Sequence, residues 1–405
     1  MWRHSDQRSK IFWRLGSFIE VLKMDSYAFI FSSLQTSRGG GLGMYDLLIV
    51  GAGLFGSIIA RKALDKRKSV LVIEKRDHIG GNCYTKCVDD INVHVYGAHI
   101  FRTNETDVWE YMERFCEFNN FVNSPIANYN GELYNLPFNM NTFYQLWGVT
   151  TPAAARAHID AARMPNDDPQ NLEEHVLTLV GPDVYNKLVK GYTEKQWGRP
   201  CVELPVSIMR RIPLRFTFDN NYFNARYQGI PIGGYTSIFE KLLQGADVRL
   251  EVDYLDDRKE WDCQAKTVVY TGPIDAFFDF CFGPLEYRSL RFEHKKMSMT
   301  NYQGVAVMNF TDSITPYTRI IEHKHFEFLS GDTTIISYEY PQEWTLGMDP
   351  YYPMEDQINA SRYRRYADLA KECSIHFGGR LGEYKYYDMQ DTIKSAFSKA
   401  KEWDI

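Results

Sequence analysis

The sequence predicts an α/β fold, and three observations near its start support this prediction. The run Leu47–Val50 is apolar and partly β-branched, as in a buried strand. The segment Gly51–Gly56 that follows has the glycine spacing G-x-G-x-x-G and leads into a helical pattern. A further apolar run, Val70–Ile73, ends at Glu74. Strand, glycine turn, helix and strand in this order form a βαβ unit, which predicts a Rossmann-like dinucleotide-binding domain.

Each part of this unit has a physical role. Gly51 permits the tight turn, Gly53 allows a pyrophosphate to approach the backbone, and Gly56 allows the helix to pack against the strand. The helix predicted over Ser57–Leu64 would direct its N-terminal N–H groups at the phosphates. Glu74 is placed to accept hydrogen bonds from a ribose 2′-hydroxyl. NAD and FAD fit this pattern equally well.

Composition narrows the class of function. The chain has 405 residues and a formal net charge of −6, so bulk charge argues against a nucleic-acid partner. Its seven cysteines are scattered and lack zinc spacing, so we expect no metal site and free thiols in a reducing cytoplasm. No apolar run reaches the roughly 18 residues that a membrane span needs.

Residues 1–43 precede the first predicted strand and end in the glycine-rich joint Gly39–Gly43. We interpret them as a disordered or dispensable N-terminal extension, or as sequence upstream of a true start at Met44. A targeting presequence is the less favoured interpretation, because charged residues such as Arg14 and Lys23 interrupt any signal-peptide core.

Downstream of the βαβ unit, two segments are candidates to line a cofactor site. Gly80 and Gly81 before Asn82 let a loop pass close to a ligand, although an ordinary β-turn would also explain this glycine pair. His94 and His99 have no third ligand at metal spacing. We therefore interpret them as histidines hydrogen-bonded near a cofactor rather than as metal ligands.

From about residue 142 to 213, apolar spacing predicts a small helical domain inserted into the nucleotide domain. Thr151 and Asn171 stand where N-caps belong. Arg210, Arg211 and Arg215 follow among prolines, which favour a loop over a helix. These arginines could bind a diphosphate through bidentate hydrogen bonds, or they could form a solvated surface cluster.

The strand pattern resumes after the helical segment. Val248–Val252 and Thr267–Tyr270 return the chain to the first sheet. From about residue 288 to 346, alternating polarity predicts an antiparallel sheet with one solvated face, and residues 325–329 form one of its strands.

Two later features are candidates for the site. Arg319 lies within the alternating strands, either as a ligand for a cleft or as a cross-strand partner of Glu322 or Glu327. Near the C-terminus, Gly378–Arg380 and a helix start at Asp388 form a second cofactor-facing element. This helix would offer its positive end to an electron-rich ring.

Several long blocks are too specific to be general nucleotide-binding sequence. They include LLIVGAGLFG, VLVIEKRDHIGGN, LVKGYTEKQWGR, RIPLRFTFDNNYF, PYTRIIEHKHF and FGGRLGEYKYYDMQ. Through these blocks, the chain from Met44 to its C-terminus resembles bacterial UDP-galactopyranose mutases. The resemblance implies FAD rather than NAD, and UDP-galactose and UDP-galactofuranose as the substrate pair.

The chemistry that the resemblance implies involves no net redox change. Reduced flavin attacks the anomeric carbon through N5 and expels UDP, the sugar recloses through O4 instead of O5, and UDP returns. The resemblance further implies a cytoplasmic homodimer that supplies galactofuranose for cell-surface glycans, and a reductant such as NAD(P)H for the flavin.

The resemblance also implies roles for individual residues. Arg211 and Arg319 match the two arginines that stabilise the departing diphosphate, and Arg211 lies on a mobile lid. Matches to substrate-binding residues are Asn123, Tyr192, Thr193, Trp197, Tyr222, Asn309, Tyr352 and Tyr386. Matches to flavin-binding residues are Gly51, Gly53, Phe55, Gly56, Glu74, Lys75, Gly81, Asn82, His99, Ile100, Asp253, Tyr254, Arg380, Tyr387, Asp388, Met389, Gln390, Asp391 and Thr392.

Arg102 departs from the family pattern. The family commonly has a second histidine three residues after the one at His99, where this chain has Arg102. The arginine could supply positive charge toward a reduced, anionic flavin, or it could turn outward.

The predicted organisation has three domains after the extension. Residues 44–112, 228–287 and 355–405 form a discontinuous Rossmann-like FAD-binding domain. Residues 134–215 form a helical substrate or lid domain, and residues 113–133, 216–227 and 288–354 form an antiparallel sheet domain. The alternative functions are a flavin oxidoreductase of the amine-oxidase type, which typically needs an aromatic cage for an amine, and a nucleotide-sugar-binding protein without activity.

Overall fold

The computed structural model describes residues 44–209, 212, 214–354 and 356–405. The predicted N-terminal extension, Arg210, Arg211 and Pro213 lie outside the described residues. The strands are β1 (Tyr45–Val50), β2 (Val70–Ile73), β3 (Thr85–Val88), β4 (Ile91–His94), β5 (Phe101–Thr103), β6 (Ile126–Tyr129), β7 (Glu132–Asn135), β8 (Tyr227–Gly229), β9 (Asp247–Arg249), β10 (Ala265–Tyr270), β11 (Tyr287–Met297), β12 (Val307–Phe310), β13 (Arg319–Glu322), β14 (Thr334–Glu343), β15 (Tyr352–Pro353) and β16 (His376–Phe377).

The α-helices are α1 (Leu54–Asp65), α2 (Thr106–Glu113), α3 (Met140–Trp147), α4 (Pro152–Ala162), α5 (Leu172–Val184), α6 (Gly191–Trp197), α7 (Thr236–Leu242), α8 (Arg258–Asp262), α9 (Ile274–Phe277), α10 (Gln357–Ala370), α11 (Gly379–Gly382) and α12 (Met389–Glu402). A π-helix, Tyr185–Lys190, joins α5 to α6, and short 3₁₀ helices occupy Gly81–Cys83, Cys201–Glu203, Val206–Met209 and His323–Glu327.

A parallel sheet forms the base of the nucleotide-binding region. Its strand order is β16-β10-β1-β2-β9, and each neighbouring pair is parallel. The apolar residues of β1 and β2 are buried, as expected for strands with both faces covered. On one face, α1 and α12 pack together and bury Ile58, Ile393 and Ala396. The predicted βαβ unit is therefore confirmed, with α1 beginning at Leu54.

The glycine turn after β1 has no room for side chains at two positions. Gly51 has a φ of +106°, which L-residues rarely adopt. A Cβ atom on Gly56 would lie 2.1 Å from the carbonyl oxygen of Gly51, so α1 can approach β1 only because Gly56 lacks a side chain. The roles that the sequence predicted for Gly51 and Gly56 have this geometric basis.

The edge strand β9 is shorter than predicted. The sequence predicts a strand over Val248–Val252, but β9 covers Asp247–Arg249. Glu251 adopts a positive φ of 58°, and its N–H donates to the carbonyl of Arg76. The chain therefore turns toward the β2 end instead of extending the sheet.

The predicted helical segment contains α3 to α6. Its N-caps are confirmed, because the side chains of Thr151 and Asn171 accept hydrogen bonds from the N–H groups of Ala154 and Glu174. Within the described ranges, no helix is long and apolar enough to cross a membrane.

A second sheet has the strand order β15-β11-β14-β13-β12-β6-β7. The predicted antiparallel sheet is in fact mixed, because β12 pairs with β6 in parallel and the other pairs are antiparallel. The pairing joins strands about 180 residues apart in the chain, such as Met308 opposite Ile126. Local alternation carries no information about the direction of such a partner.

The predicted strand over residues 325–329 is also wrong. His323–Glu327 forms a 3₁₀ helix, and Phe328 follows in the left-handed region with a φ of 55°. Phe326 is buried with its ring stacked on His94, and its carbonyl accepts a hydrogen bond from Asn119 Nδ2. These tertiary contacts outweigh the alternating pattern.

Candidate active site

A cavity of about 700 Å³ joins the glycine turn of the parallel sheet to the second sheet. Most of the residues predicted for the cofactor and substrate line it together. They are Gly51, Gly53, Phe55, Gly56, Glu74, Lys75, Gly81, Asn82, His99, Ile100, Asn123, Tyr192, Tyr222, Asp253, Tyr254, Asn309, Arg319, Tyr352, Arg380, Tyr386, Tyr387, Asp388, Met389 and Thr392.

Four predicted residues lie outside the wall of this cavity, and Arg211 lies outside the described residues. Trp197 packs against the apolar core of the helical segment, and Thr193 is buried. The side chain of Gln390 accepts hydrogen bonds from Thr103 Oγ1 at 2.5 Å and from the N–H of Asn104 at 3.2 Å. The fourth residue is Asp391, whose N–H is capped by Asp388.

The glycine-rich end of the cavity fits a dinucleotide. The buried carboxylate of Glu74 accepts hydrogen bonds from the N–H groups of Ala52 at 2.8 Å and Arg76 at 3.0 Å, which fix its orientation. A Cβ atom on Gly81 would lie 3.0 Å from Gly53 Cα, so the two glycine turns approach each other closely. Exposed backbone beside a fixed carboxylate is the arrangement that binds a pyrophosphate and a ribose hydroxyl.

Arg76 is a cavity residue that the sequence analysis missed. Its guanidinium lies 3.0 Å from Asp349 Oδ1 and 4.3 Å from the ring centre of Tyr96. The loop that contains Asp349 is thereby held to the end of β2. Only the position of Arg76, two residues after Glu74, could have drawn attention to it.

Arg319 sits opposite Glu339 on adjacent antiparallel strands. Arg319 Nε lies 2.9 Å from Glu339 Oε1, and Nη2 donates a hydrogen bond to the hydroxyl of Tyr192 at 2.8 Å. Thr318 Oγ1 also donates to Glu339 at 3.0 Å. Burial opposes the charge on Arg319, but Glu339 together with Tyr192 and Tyr352 outweighs burial, so the pKa of Arg319 lies above its usual range. The guanidinium is therefore held charged in the cavity wall.

The cross-strand partner of Arg319 is Glu339, and the predicted partners Glu322 and Glu327 are wrong. Glu322 instead accepts hydrogen bonds from the N–H groups of Tyr302 and Gln303. Glu327 accepts hydrogen bonds from Asn92 Nδ2 and from the N–H of Gly233. The sequence alone could not identify Glu339, because it does not show which strand pairs with β13.

The side chains around Arg319 are polar and largely buried. Asn309 lies opposite Arg319 on β12, and its Oδ1 is buried without a hydrogen-bond partner among the described residues. Burial raises the pKa of Tyr192 to about 12, and it also raises the pKa of Tyr352, so both phenols are neutral donors near pH 7. The ring of Tyr386 lies 5.6 Å from that of Tyr352. An unsatisfied buried oxygen beside a cation indicates space for a polar ligand.

Lys195 holds the loop between β12 and β13. Its ammonium donates to the carbonyls of Phe310, Thr315 and Tyr317 at 2.8 to 3.1 Å. Burial lowers the pKa of Lys195 to about 8, and Asp312 opposes this shift. The loop that separates Asn309 from Arg319 in sequence is thereby fixed to α6.

His99 is a neutral residue of the cavity wall. Its Nδ1 lies 2.8 Å from the carbonyl oxygen of Gly97 and must donate to it, so Nε2 is left as an acceptor. Burial lowers the pKa of His99 to about 4, with Arg380 and Arg319 acting in the same direction. His99 is therefore uncharged near pH 7.

A line of buried histidines continues from His99 into the second sheet. The N–H of His99 donates to His94 Nδ1 at 3.1 Å, and the N–H of His94 donates to His323 Nδ1 at 3.2 Å. His323 Nε2 lies 2.6 Å from Ser337 Oγ. Burial lowers the pKa of His323 to about 3 and that of His94 well below its usual value.

Family models match two parts of the chain. The model described as UDP-galactopyranose mutase matches residues 187–386. The model described as an NAD(P)-binding Rossmann-like domain matches residues 49–115. The second match agrees with the β1-α1-β2 unit and the first with the walls that contain Tyr192 and Arg319.

Curated relatives extend the likeness over most of the chain. A probable UDP-galactopyranose mutase of Klebsiella pneumoniae is 40% identical over 366 residues, which cover 88% of this chain and 94% of the relative. A dTDP-fucopyranose mutase of Escherichia coli is 37% identical over 369 residues, which cover 88% of this chain and 98% of the relative.

Solved structures share the fold at low sequence identity. The crystal structure of a reduced UDP-galactopyranose mutase has a TM-score of 0.69 at 12% identity and covers 89% of this chain and 96% of its own. A putrescine oxidase has a TM-score of 0.53 at 12% identity and covers 88% of this chain and 98% of its own.

The substitution Glu339→Gln tests the buried ion pair. We expect it to lower the free energy of unfolding by about 3–5 kcal/mol, because it leaves the Arg319 charge without its partner. Glu293→Gln in the exposed pair with Arg291 is the matched control and should cost at most about 1 kcal/mol. Chemical denaturation at pH 7 measures both. Equal losses would contradict the structural importance of the Glu339 pair.

The buried histidines predict a loss of stability in mild acid. Their folded pKa values lie below the unfolded value near 6.5, so the unfolded chain binds more protons as the pH falls. Stability is therefore full above about pH 6.5 and falls toward pH 3, by up to about 1.4 kcal/mol per pH unit for each histidine.

The variant His323→Asn isolates one such contribution, because asparagine can still accept the N–H of His94. We expect a flatter decline in the free energy of unfolding between pH 6.5 and pH 4 than in the unsubstituted protein. Parallel declines in the two proteins would show that His323 does not contribute.

Proposed function

The chain belongs to the UDP-galactopyranose mutase family and is an isomerase, and from this premise we propose that it interconverts UDP-galactopyranose and UDP-galactofuranose with a bound FAD. The observation that carries the proposal is the single cavity of about 700 Å³, which joins the dinucleotide turn to Arg319 and its tyrosines. A cofactor and a nucleotide sugar could meet in this volume without crossing solvent.

The donor set at the glycine-rich end suits FAD. Glu74 would bind the adenosine ribose, the Gly51–Gly56 turn the pyrophosphate, and the start of α12 with Arg380 the flavin ring. When bound there, reduced flavin would supply a nucleophilic N5 with no net redox change. His99 would offer its Nε2 as an acceptor, because its Nδ1 is committed to Gly97.

The other residues would act on the diphosphate. Arg319 carries a fixed positive charge, Tyr192 and Tyr352 supply neutral hydroxyl groups near it, and Tyr386 lines the same cavity next to Tyr352. These donors would stabilise the negative charge that grows on UDP as the bond to the anomeric carbon breaks. We propose that Arg211 adds a second cation from a lid, which would also exclude water from the reacting sugar.

A second nucleotide sugar is a candidate substrate. The Escherichia coli relative that is 37% identical is a dTDP-fucopyranose mutase. Both candidates carry a diphosphate and a pyrimidine nucleotide, and the cavity residues named above would treat the diphosphates alike. The two substrates therefore have to be compared directly.

An amine oxidation is the less favoured alternative. The putrescine oxidase likeness is one of fold alone at 12% identity. The cavity wall has Arg319 and Arg380 where a cationic amine would need acidic or purely aromatic surroundings. The arginines favour an anionic substrate.

We further propose that the enzyme acts in the cytoplasm as a homodimer, with NAD(P)H or a similar reductant keeping the flavin reduced. Its product would supply galactofuranose for cell-surface glycans. These four points rest on the family resemblance.

Anaerobic turnover tests the proposed reaction. We expect UDP-galactofuranose to be converted to UDP-galactopyranose only after the flavin is reduced with dithionite. Product is measured by chromatography, with dTDP-fucofuranose in a parallel reaction. Faster conversion of the second compound would reassign the substrate. Stoichiometric reduction of oxidised flavin by the sugar, with no isomer formed, would contradict an isomerase without net redox.

The substitutions Arg211→Ala and Arg319→Ala test the diphosphate site. Each should reduce turnover by at least about 100-fold, the scale of losing one transition-state donor. Each should keep the yellow spectrum of bound oxidised flavin. If a variant keeps the turnover of the unsubstituted protein, that arginine does not belong to the proposed site. Loss of the flavin spectrum would indicate that the arginine helps to bind the cofactor.

A further inference from the structure

Arg102 lies in the wall of the cavity and does not turn outward. Its Nη2 is 3.1 Å from Asp388 Oδ2, and its guanidinium carbon is 4.5 Å from the ring centre of Phe223. The two charged side chains are 39% and 31% exposed. One guanidinium thus contacts the start of α12 on one side and the segment before β8 on the other.

The two carboxylate oxygens of Asp388 have separate partners. Oδ1 accepts the N–H of Asp391 at 2.9 Å and caps α12, whereas Oδ2 pairs with Arg102. Both oxygens of the Asp388 carboxylate therefore already have partners within the protein. Without Arg102, however, the carboxylate would leave an uncompensated negative charge in the cavity wall.

The contact with Phe223 fixes a second wall. Phe223 packs edge-on against Tyr222, with ring centres 5.3 Å apart, and the N–H of Tyr222 donates to the carbonyl of Asn123 at 2.7 Å. Backbone pairing of β5 with β8 places Arg102 opposite Gln228. The guanidinium therefore links the cap of α12 to the Tyr222–Phe223 segment.

We propose that Arg102 is a positioning residue that balances the charge of Asp388 beside the bound cofactor and thereby favours reduced, anionic flavin over neutral, oxidised flavin. The inference rests on the proposed FAD-dependent function. A negative charge added nearby would repel an anionic ring but affect a neutral ring little. The effect should be moderate, because both side chains are partly exposed to solvent.

The test measures the dissociation constants of oxidised and dithionite-reduced FAD in four proteins: unsubstituted, Arg102→Gln, Asp388→Asn and the double variant. Asparagine is as good an N-cap as aspartate, so Asp388→Asn removes the charge and keeps the cap. We expect Arg102→Gln to weaken binding of reduced relative to oxidised FAD by about threefold to fivefold, the scale of a partly exposed ion pair. The double variant should return the ratio to the unsubstituted value.

Two further variants separate charge from structure. Arg102→Lys should keep the ratio, because the charge remains although the flat contact with Phe223 is lost. Arg291→Gln is the matched control, since Arg291 also combines an ion pair with an aromatic contact, to Glu293 and Tyr340, outside the cavity wall. It should leave the ratio unchanged.

The outcomes distinguish this inference from the proposed function. If the unsubstituted protein binds no flavin, the proposed function fails and the inference with it. The inference alone is overturned if the unsubstituted protein binds flavin and Arg102→Gln leaves the ratio of reduced to oxidised FAD binding unchanged. It is also overturned if adding Asp388→Asn to Arg102→Gln does not return that ratio to the unsubstituted value.

Discussion

The cavity depends on keeping one guanidinium charged inside a buried wall. Arg319 and Glu339 would each be costly to bury alone, and together they form an ion pair across adjacent strands. Thr318 and Tyr192 provide further hydrogen bonds to the pair. Because side chains alternate between the two faces of a sheet, a shift of β13 by one residue against β14 would remove Arg319 from the cavity. The register of these two strands therefore decides whether Arg319 contributes its positive charge to the cavity.

That register is supported from outside the sheet by α6. Tyr192 and Lys195 are three residues apart and so lie on neighbouring positions of one helical face. Tyr192 accepts a hydrogen bond from Arg319, and Lys195 donates to three carbonyls of the loop that precedes Arg319. A helix that belongs to a different part of the chain thus positions both the charged group and its supporting loop. This dependence explains why the block GYTEKQWG is informative even though Trp197 and Thr193 do not line the cavity.

Sequence reasoning was successful where the determinants are local. The turn at Gly51, the N-caps Thr151 and Asn171, and the start of α12 after Asp388 each follow from residues within one turn of chain. It failed where the outcome depends on a distant partner. Glu339 could not be identified as the partner of Arg319, nor the parallel pairing of β12 with β6, because strand order is set by contacts across the whole sheet. The resemblance identified most of the residues that line the cavity. It could not show which matched residues, such as Gln390, form hydrogen bonds with the surrounding protein instead of lining the cavity.

The polar groups of the cavity have fixed and different characters. Arg319 and Arg380 carry positive charge, whereas His99 is neutral and presents an acceptor, because its Nδ1 donates to Gly97. Burial and the neighbouring positive charges of Arg380 and Arg319 lower the pKa of His99 and keep its imidazole neutral. A cavity with permanent cations at one position and a permanently neutral acceptor at another can distinguish an anionic group from a hydrogen-bond donor without changing its own charge. In the proposed reaction, such a site would stabilise the charge that develops on the departing diphosphate.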